Sequence, residues 1–288
     1  MRESRLPANG LDFRLLSEGP EAGPLVLLLH GFPEGAESWT VQLAALGAAG
    51  CWAVAPDLRG FGGTEAPVGE DRYRLPELLG DVSGLIHGLG RDRCHLVGHD
   101  WGALVGWPFA SRHPELVETW TSLSIPHPVP LIEASRNDPD QRERSSYIDL
   151  FRMPGKAEAV LSADDYRRLR AMYRTGPHPE AVPQAVIETY VRNFARPGRL
   201  TAGLNYYRAN LSGPAWSAFP PTPDPITAPT MLVWGTEDPA LGRRAVEATA
   251  AHVGGPFRLE VVEGAGHWLQ FEAPERVSNL LVEFITSK

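Results

Sequence analysis

Only two of the 288 residues are cysteine, Cys51 and Cys94. Two are too few for a disulfide scaffold and fit a reducing, cytoplasmic compartment, although the sequence leaves a pairing between them open. Positive charge is also in short supply. The 27 Lys and Arg stand against 35 Asp and Glu, for a formal net charge of -8. No basic run offers itself to a phosphate backbone, so no nucleic-acid partner is expected. Long apolar runs are missing too. The longest in the first fifty residues, Leu25 to Leu29, is far short of the ~20 residues of a membrane span. The N-terminus has no apolar stretch of the signal-peptide kind, so neither a leader nor a span is expected. What is present is an ordinary globular composition, 43% hydrophobic and 22% charged. That excludes a disordered or collagen-like chain, and the length suffices to bury a substantial core.

Short apolar runs recur at Leu25–Leu29, Cys51–Ala55, Cys94–Val97 and Val117–Leu123, then again at Thr230–Trp234 and Phe257–Val262. They do not alternate with polar residues. Such runs suit strands buried on both faces, hence a mostly parallel central sheet with helices on both sides, an α/β fold. The segment from about His127 to Thr222 differs. Asp164 to Tyr173 and Gln184 to Phe194 have helical spacing and mixed charge, and a proline-rich stretch with Pro214, Pro220, Pro221, Pro223, Pro225 and Pro229 follows. The organisation expected is a core α/β domain in two parts, residues 1–126 and 223–288, with a mainly helical lid inserted at 127–222. Val277 to Ile285 is expected to close the chain as an amphipathic helix.

Gly98-His99-Asp100-Trp101-Gly102 follows the third apolar run and precedes a helical stretch, Ala103 to His113. Glycines two residues to either side of a central polar residue are what a sharp strand-to-helix nucleophile turn requires. The central residue here is Asp, which could also merely cap the helix. Two further residues favour chemistry. Asp238 lies just past the strand ending at Trp234, and His267 lies just past the last strand. Nucleophile, acid, histidine is the chain order of α/β-hydrolases, and strand carboxyl ends are where open α/β sheets build sites. His30-Gly31-Phe32-Pro33 ends the first run, and would set the Phe32 N–H opposite that of Trp101 as an oxyanion hole. Pro108 gives no N–H to the Leu104 carbonyl, so a kink or break is expected in the helix after the turn. His99 is read as packing beside the turn.

These motifs resemble the α/β-hydrolase superfamily and, more narrowly, its epoxide hydrolase branch. His30-Gly31-Phe32-Pro33-Glu34, Asp57-Leu58-Arg59-Gly60-Phe61-Gly62, Gly98-His99-Asp100-Trp101-Gly102 and Gly264-Ala265-Gly266-His267-Trp268 carry the likeness. The resemblance implies an α/β-hydrolase fold and a covalent alkyl ester on Asp100. In that branch two lid tyrosines hold the epoxide oxygen. Tyr147-Ile148-Asp149-Leu150-Phe151 and Leu204-Asn205-Tyr206-Tyr207-Arg208 are similar to the segments that carry them. The match implies Tyr147 and Tyr207, whereas spacing alone would make both residues core packing. Tyr206 should point about 100° away on the same helix.

The implied reaction takes a small hydrophobic epoxide and water to a vicinal diol, with no metal or organic cofactor. An Asp carboxylate suits attack on a saturated carbon because it need not lose a proton first. A phenol can protonate the departing alkoxide. His267, oriented by Asp238, would then activate water against the ester. Two alternatives share the fold. A haloalkane dehalogenase would use the same Asp, with indole N–H groups such as those of Trp101 and Trp216 on the halide. A receptor-like protein would bind without turnover. No oligomeric state is specified.

Overall fold

The computed structural model describes residues 1–211 and 225–287. Its strands are β1 (Arg2–Ala8), β2 (Leu11–Glu18), β3 (Leu25–Leu29), β4 (Trp52–Pro56), β5 (Cys94–His99), β6 (Val117–Leu123), β7 (Thr230–Gly235) and β8 (Phe257–Val262). They form one sheet in the order β1-β2-β4-β3-β5-β6-β7-β8. From β4 to β8 every pairing is parallel, while β1–β2 and β2–β4 are antiparallel.

The apolar runs fail to alternate because the sheet has a core on each face. Leu25, Leu27 and Leu29 of β3 join one core, and Val26 and Leu28 join the other. Helices α1 (Thr40–Ala48), α2 (Leu75–Gly88) and α3 (Trp101–Arg112) follow β3, β4 and β5. Val82, Leu85 and Ile86 of α2 cover the first face, and Leu43 and Leu46 of α1 cover the second. Each fully buried leucine contributes about 1.5–3 kcal/mol relative to exposure.

Between β6 and β7 the chain forms α4 (Pro128–Asn137), α5 (Pro139–Arg144), α6 (Tyr147–Phe151), α7 (Lys156–Met172), α8 (Gln184–Phe194) and α9 (Arg199–Asn210). After β7 come α10 (Arg243–Ala248), α11 (Leu269–Glu272) and α12 (Pro274–Thr286). Leu280 and Leu281 of α12 complete the second core. The expected lid boundary at 222/223, Trp216 and Pro214, Pro220, Pro221 and Pro223 lie outside the described residues.

Several expectations are corrected. The hairpin β1–β2 is absent from the expected strands, although its turn residues are Asn9 and Gly10, both at positive φ, the pair most typical of tight hairpins. Helix α3 runs through Pro108 to Arg112 without a break, and Pro108 is buried. The stretch from Asp164 is not one regular helix. Ala163 is extended, and Asp164, Asp165 and Tyr166 turn left-handed with φ of 50, 53 and 61° inside α7. Both cysteines are buried free thiols. Among the described residues no helix is long and apolar enough to cross a membrane.

Candidate active site

The chain leaves β3 for β4 in one direction and returns to β5 on the other side of β3. The carboxyl ends of β3 and β5 therefore lie side by side at the switch point of the sheet, where crevices form. Asp100 follows β5 with φ 49° and ψ -118°. A non-glycine residue held there costs on the order of 1–3 kcal/mol and persists because its surroundings fix it. A Cβ at Gly102 would lie 2.1 Å from the Leu29 carbonyl oxygen, and one at Gly98 would lie 2.5 Å from the Gly102 oxygen. Only glycine allows this approach of turn to strand.

The turn aims the Asp100 carboxylate at two neighbours. The Phe32 N–H donates to Asp100 Oδ1 at 2.8 Å. Oδ2 faces His267 Nε2 at 3.7 Å, an ion-pair contact beyond hydrogen-bond reach. His267 Nδ1 meets Asp238 Oδ2 at 3.0 Å. Asp238 is fixed in turn by the Ala240 and Leu241 N–H groups, which donate to its Oδ1 at 2.8 and 3.1 Å. Trp101, the other expected oxyanion donor, is the first residue of α3, so its N–H has no carbonyl partner within the helix. Burial resists protonation of His267, but the anions of Asp238 and Asp100 outweigh it and raise its pKa well above the ordinary value.

Tyr147 opens α6 and Tyr207 lies on α9. Their rings are 6.5 Å apart, with Phe151 between them at 5.2 and 5.0 Å. Phe32 lies 5.6 Å from Tyr207. Burial, reinforced by the Asp100 charge, raises both phenol pKa values. Both hydroxyls therefore stay protonated at neutral pH and can donate. Tyr206 turns away and donates to the Arg59 carbonyl at 2.9 Å.

Asp100, His267, Tyr147, Tyr207 and Phe32 line one cavity of about 370 Å³, walled further by Phe151, Leu161, Met172, Ala240 and Trp268. Asp238 stands behind His267. The Trp101 side chain does not line the cavity. Its buried indole is directed at Tyr207, and the pull of its N–H on the phenol oxygen lowers that pKa but is outweighed by burial. Among the described residues no group of three or more His, Cys, Asp or Glu is arranged to hold a metal ion.

One arrangement is not visible in the sequence. His99 does more than pack. Its Nδ1 lies 2.8 Å from Glu34 Oε2 and its Nε2 lies 2.9 Å from the His267 carbonyl oxygen. That carbonyl also accepts from the Ser124 hydroxyl at 2.9 Å. Glu34 accepts from the Gly31 N–H at 3.0 Å, the Ser38 hydroxyl at 2.7 Å and Gln270 Nε2 at 2.6 Å. Burial would push the Glu34 carboxyl up, but His99, Ser38 and His30 hold it down at about 2. Glu34 and His99 thus join the turn carrying the Phe32 donor to the loop carrying His267. Glu34 stands in the first motif, but nothing in its spacing announces a partner sixty-five residues away.

A carboxylate on a strained turn at the switch point, served by a histidine and an acid from later strands, is α/β-hydrolase architecture. The family described as the alpha/beta hydrolase fold matches residues 24–274. Epoxide hydrolase 3 of Xenopus tropicalis is 37% identical over 286 residues, covering 98% of this chain and 76% of the relative. Epoxide hydrolase A of Mycobacterium tuberculosis is 34% identical, covering 99% of this chain and 97% of the relative. Among solved structures, the Bacillus megaterium epoxide hydrolase in complex with an inhibitor superimposes with a TM-score of 0.90 at 27% identity, covering 99% of this chain and 100% of that one. The chain belongs to the α/β-hydrolase family and, within it, to the epoxide hydrolase branch.

Proposed function

We propose that the protein is an epoxide hydrolase that converts a small hydrophobic epoxide and water to a vicinal diol through an alkyl ester of Asp100. The observation that carries this is a pair of neutral phenols on the same apolar cavity as a carboxylate nucleophile. Oδ1 is occupied by the Phe32 N–H, so Oδ2 attacks an epoxide carbon. The carbon–oxygen bond breaks, and the departing oxygen takes a proton from Tyr147 or Tyr207 while the other hydroxyl donates to it.

Ester formation removes the Asp100 charge, one of the two anions that hold a proton on His267. The histidine pKa falls, so His267 gives up its proton through solvent while the phenolate left by the first step regains one. Neutral Nε2 becomes available to deprotonate a water attacking the ester carbonyl. The oxyanion then develops on Oδ1, already 2.8 Å from the Phe32 N–H, with Trp101 N–H as second donor. It collapses as the acyl carbon–Oδ2 bond breaks, the diol leaves with Oδ2 and the proton held by His267, and the acid left on Asp100 loses its proton to solvent. Asp238 holds the imidazole throughout. No step is placed on a metal or an organic cofactor.

A haloalkane reading has less support because Trp101, whose indole would hold the halide, is not among the residues that line the cavity, whereas Tyr147 and Tyr207 are. The segment 127–222 is proposed as a lid carrying the two phenols. Two free buried thiols suit a cytoplasmic setting, which cell fractionation would test. The reaction is tested by a single turnover of an aryl epoxide in heavy-oxygen water. The diol should be unlabelled and the Asp100 peptide should gain the label. Labelled diol in the first turnover would mean direct attack by water and no ester.

A further inference from the structure

Apart from Asp100 and His267, the charged residues among those lining the cavity are two arginines, Arg144 and Arg168. The chain as a whole is acidic at -8, so cationic lining does not follow from composition. The two arginines differ. The Arg144 guanidinium is committed to Asp140 and to the Asp238 carbonyl. Arg168 is exposed, and among the described residues it has no hydrogen bond or ion pair. A residue that both lines an open cavity and meets solvent stands at its rim.

The chain around Arg168 keeps it unpaired. Its neighbours Arg167 and Arg170 pair back to Asp164 at 2.7 Å and Asp165 at 3.2 Å, and Arg170 pairs with Glu188 as well. Those two aspartates sit in the left-handed turn of α7, a conformation L side chains rarely adopt. The acids nearest in sequence are therefore consumed by the flanking arginines. Strained backbone of this kind concentrates where a side chain must be aimed.

We propose that Arg168 is a specificity-determining residue that pairs with a carboxylate at the far end of a compact epoxide. This rests on the epoxide reading above and changes its substrate class from a wholly apolar epoxide to one with an apolar arm and an anionic end. The planar guanidinium fork matches a carboxylate bidentately. The cavity of about 370 Å³ is near the lower end of the ~300–1,000 Å³ usual for ligand sites, which favours a short apolar arm between epoxide and anion over a long chain. The contact is remote from the reacting atoms and equal in ground and transition states, so it acts on KM rather than kcat.

The test compares para-(glycidyloxy)benzoate with its uncharged carboxamide. The parent should show a KM roughly three- to fivefold lower for the carboxylate, the scale of one solvent-exposed ion pair, and added salt should shrink the difference. Arg168→Gln should raise the carboxylate KM to that of the amide, leaving the amide and both kcat values within about twofold. Arg168→Lys should restore part of the preference. Equal KM values in the parent, or equal losses on both substrates in Arg168→Gln, would overturn the anion subsite, leaving Arg168 as an apolar stem at the rim. Hydrolysis of the amide reports on the epoxide reading alone, and hydrolysis of neither compound would overturn both.

Discussion

The two walls of the cavity are held by different physics. On the sheet side, Asp100, His267 and Asp238 are fixed by backbone turns and directional bonds: 2.8 Å from Phe32, 3.0 Å from Asp238 to His267, and two N–H groups on Asp238. On the side of α6 and α9, Tyr147 and Tyr207 are placed by edge-to-face ring contacts with Phe151 and Phe32. Charges need directional partners to be aimed and stabilised. Neutral phenols need a dry, packed setting that keeps them protonated. In the proposed mechanism this difference becomes a division of labour, with the sheet side making and cleaving the ester and the helical side serving only the departing oxygen.

The largest effect should come from the sheet side. Asp100→Asn should lose alkylation by a factor on the order of 10⁴ or more, as loss of a nucleophile does elsewhere. Quenched-flow rates with peptide mass analysis to exclude deamidation back to Asp would measure it. Epoxide turnover by the Asp100→Asn protein, with its amide shown intact, would break the comparison at its root. Next come the phenols. Tyr147→Phe or Tyr207→Phe should each slow alkylation by roughly 10²–10³, by analogy with lost oxyanion donors, and the double variant should nearly abolish it. Alkylation at the parental rate in the double variant would reduce the tyrosines to packing.

A smaller effect on rate is expected behind the sheet side. Glu34→Gln removes the anion shared by Gly31 N–H, His99, Ser38 and Gln270. It should slow ester hydrolysis about tenfold, because two loops lose their common anchor, and should reduce stability by about 1.5–3 kcal/mol, the scale of a lost hydrogen bond to a charged group. Urea unfolding beside single-turnover kinetics would measure both. Tyr207→Phe, by contrast, should barely change stability.

The smallest effect is one of pH. The His267 pKa in the free protein is raised above its unfolded value. Its contribution to stability is therefore fully present below the unfolded pKa, about 6.5, and is lost as pH rises through the folded one. Thermal melts should show a decline on the alkaline side that His267→Gln flattens. An unchanged slope in that variant would contradict the two-anion description of His267.

The sheet side is the more legible in sequence, for the same physical reason. A strand-to-helix turn that admits only glycine at 98 and 102, and acids and a histidine just past strand ends, leave local marks. The hairpin β1–β2 is also marked, by Asn9-Gly10, but β1 is largely exposed and lacks a strong apolar run. The phenols leave no such mark. Tyr147 and Tyr207 are spaced like any packed aromatic, and only a resemblance singles them out. The left-handed turn at Asp164 is invisible to periodicity, since mixed charge at helical spacing describes both arms of α7. The Glu34–His99 contact is long-range, so neither motif contains it.

The division of labour is tested most directly by the rate of ester formation in His267→Gln, with and without Tyr207→Phe, followed by intact mass after addition of an epoxide. His267→Gln alone should gain one substrate mass at near the parental alkylation rate and hold it. Adding Tyr207→Phe should slow that gain by roughly 10²–10³. An unmodified His267→Gln protein, or an ester forming equally fast in the double variant, would contradict that division.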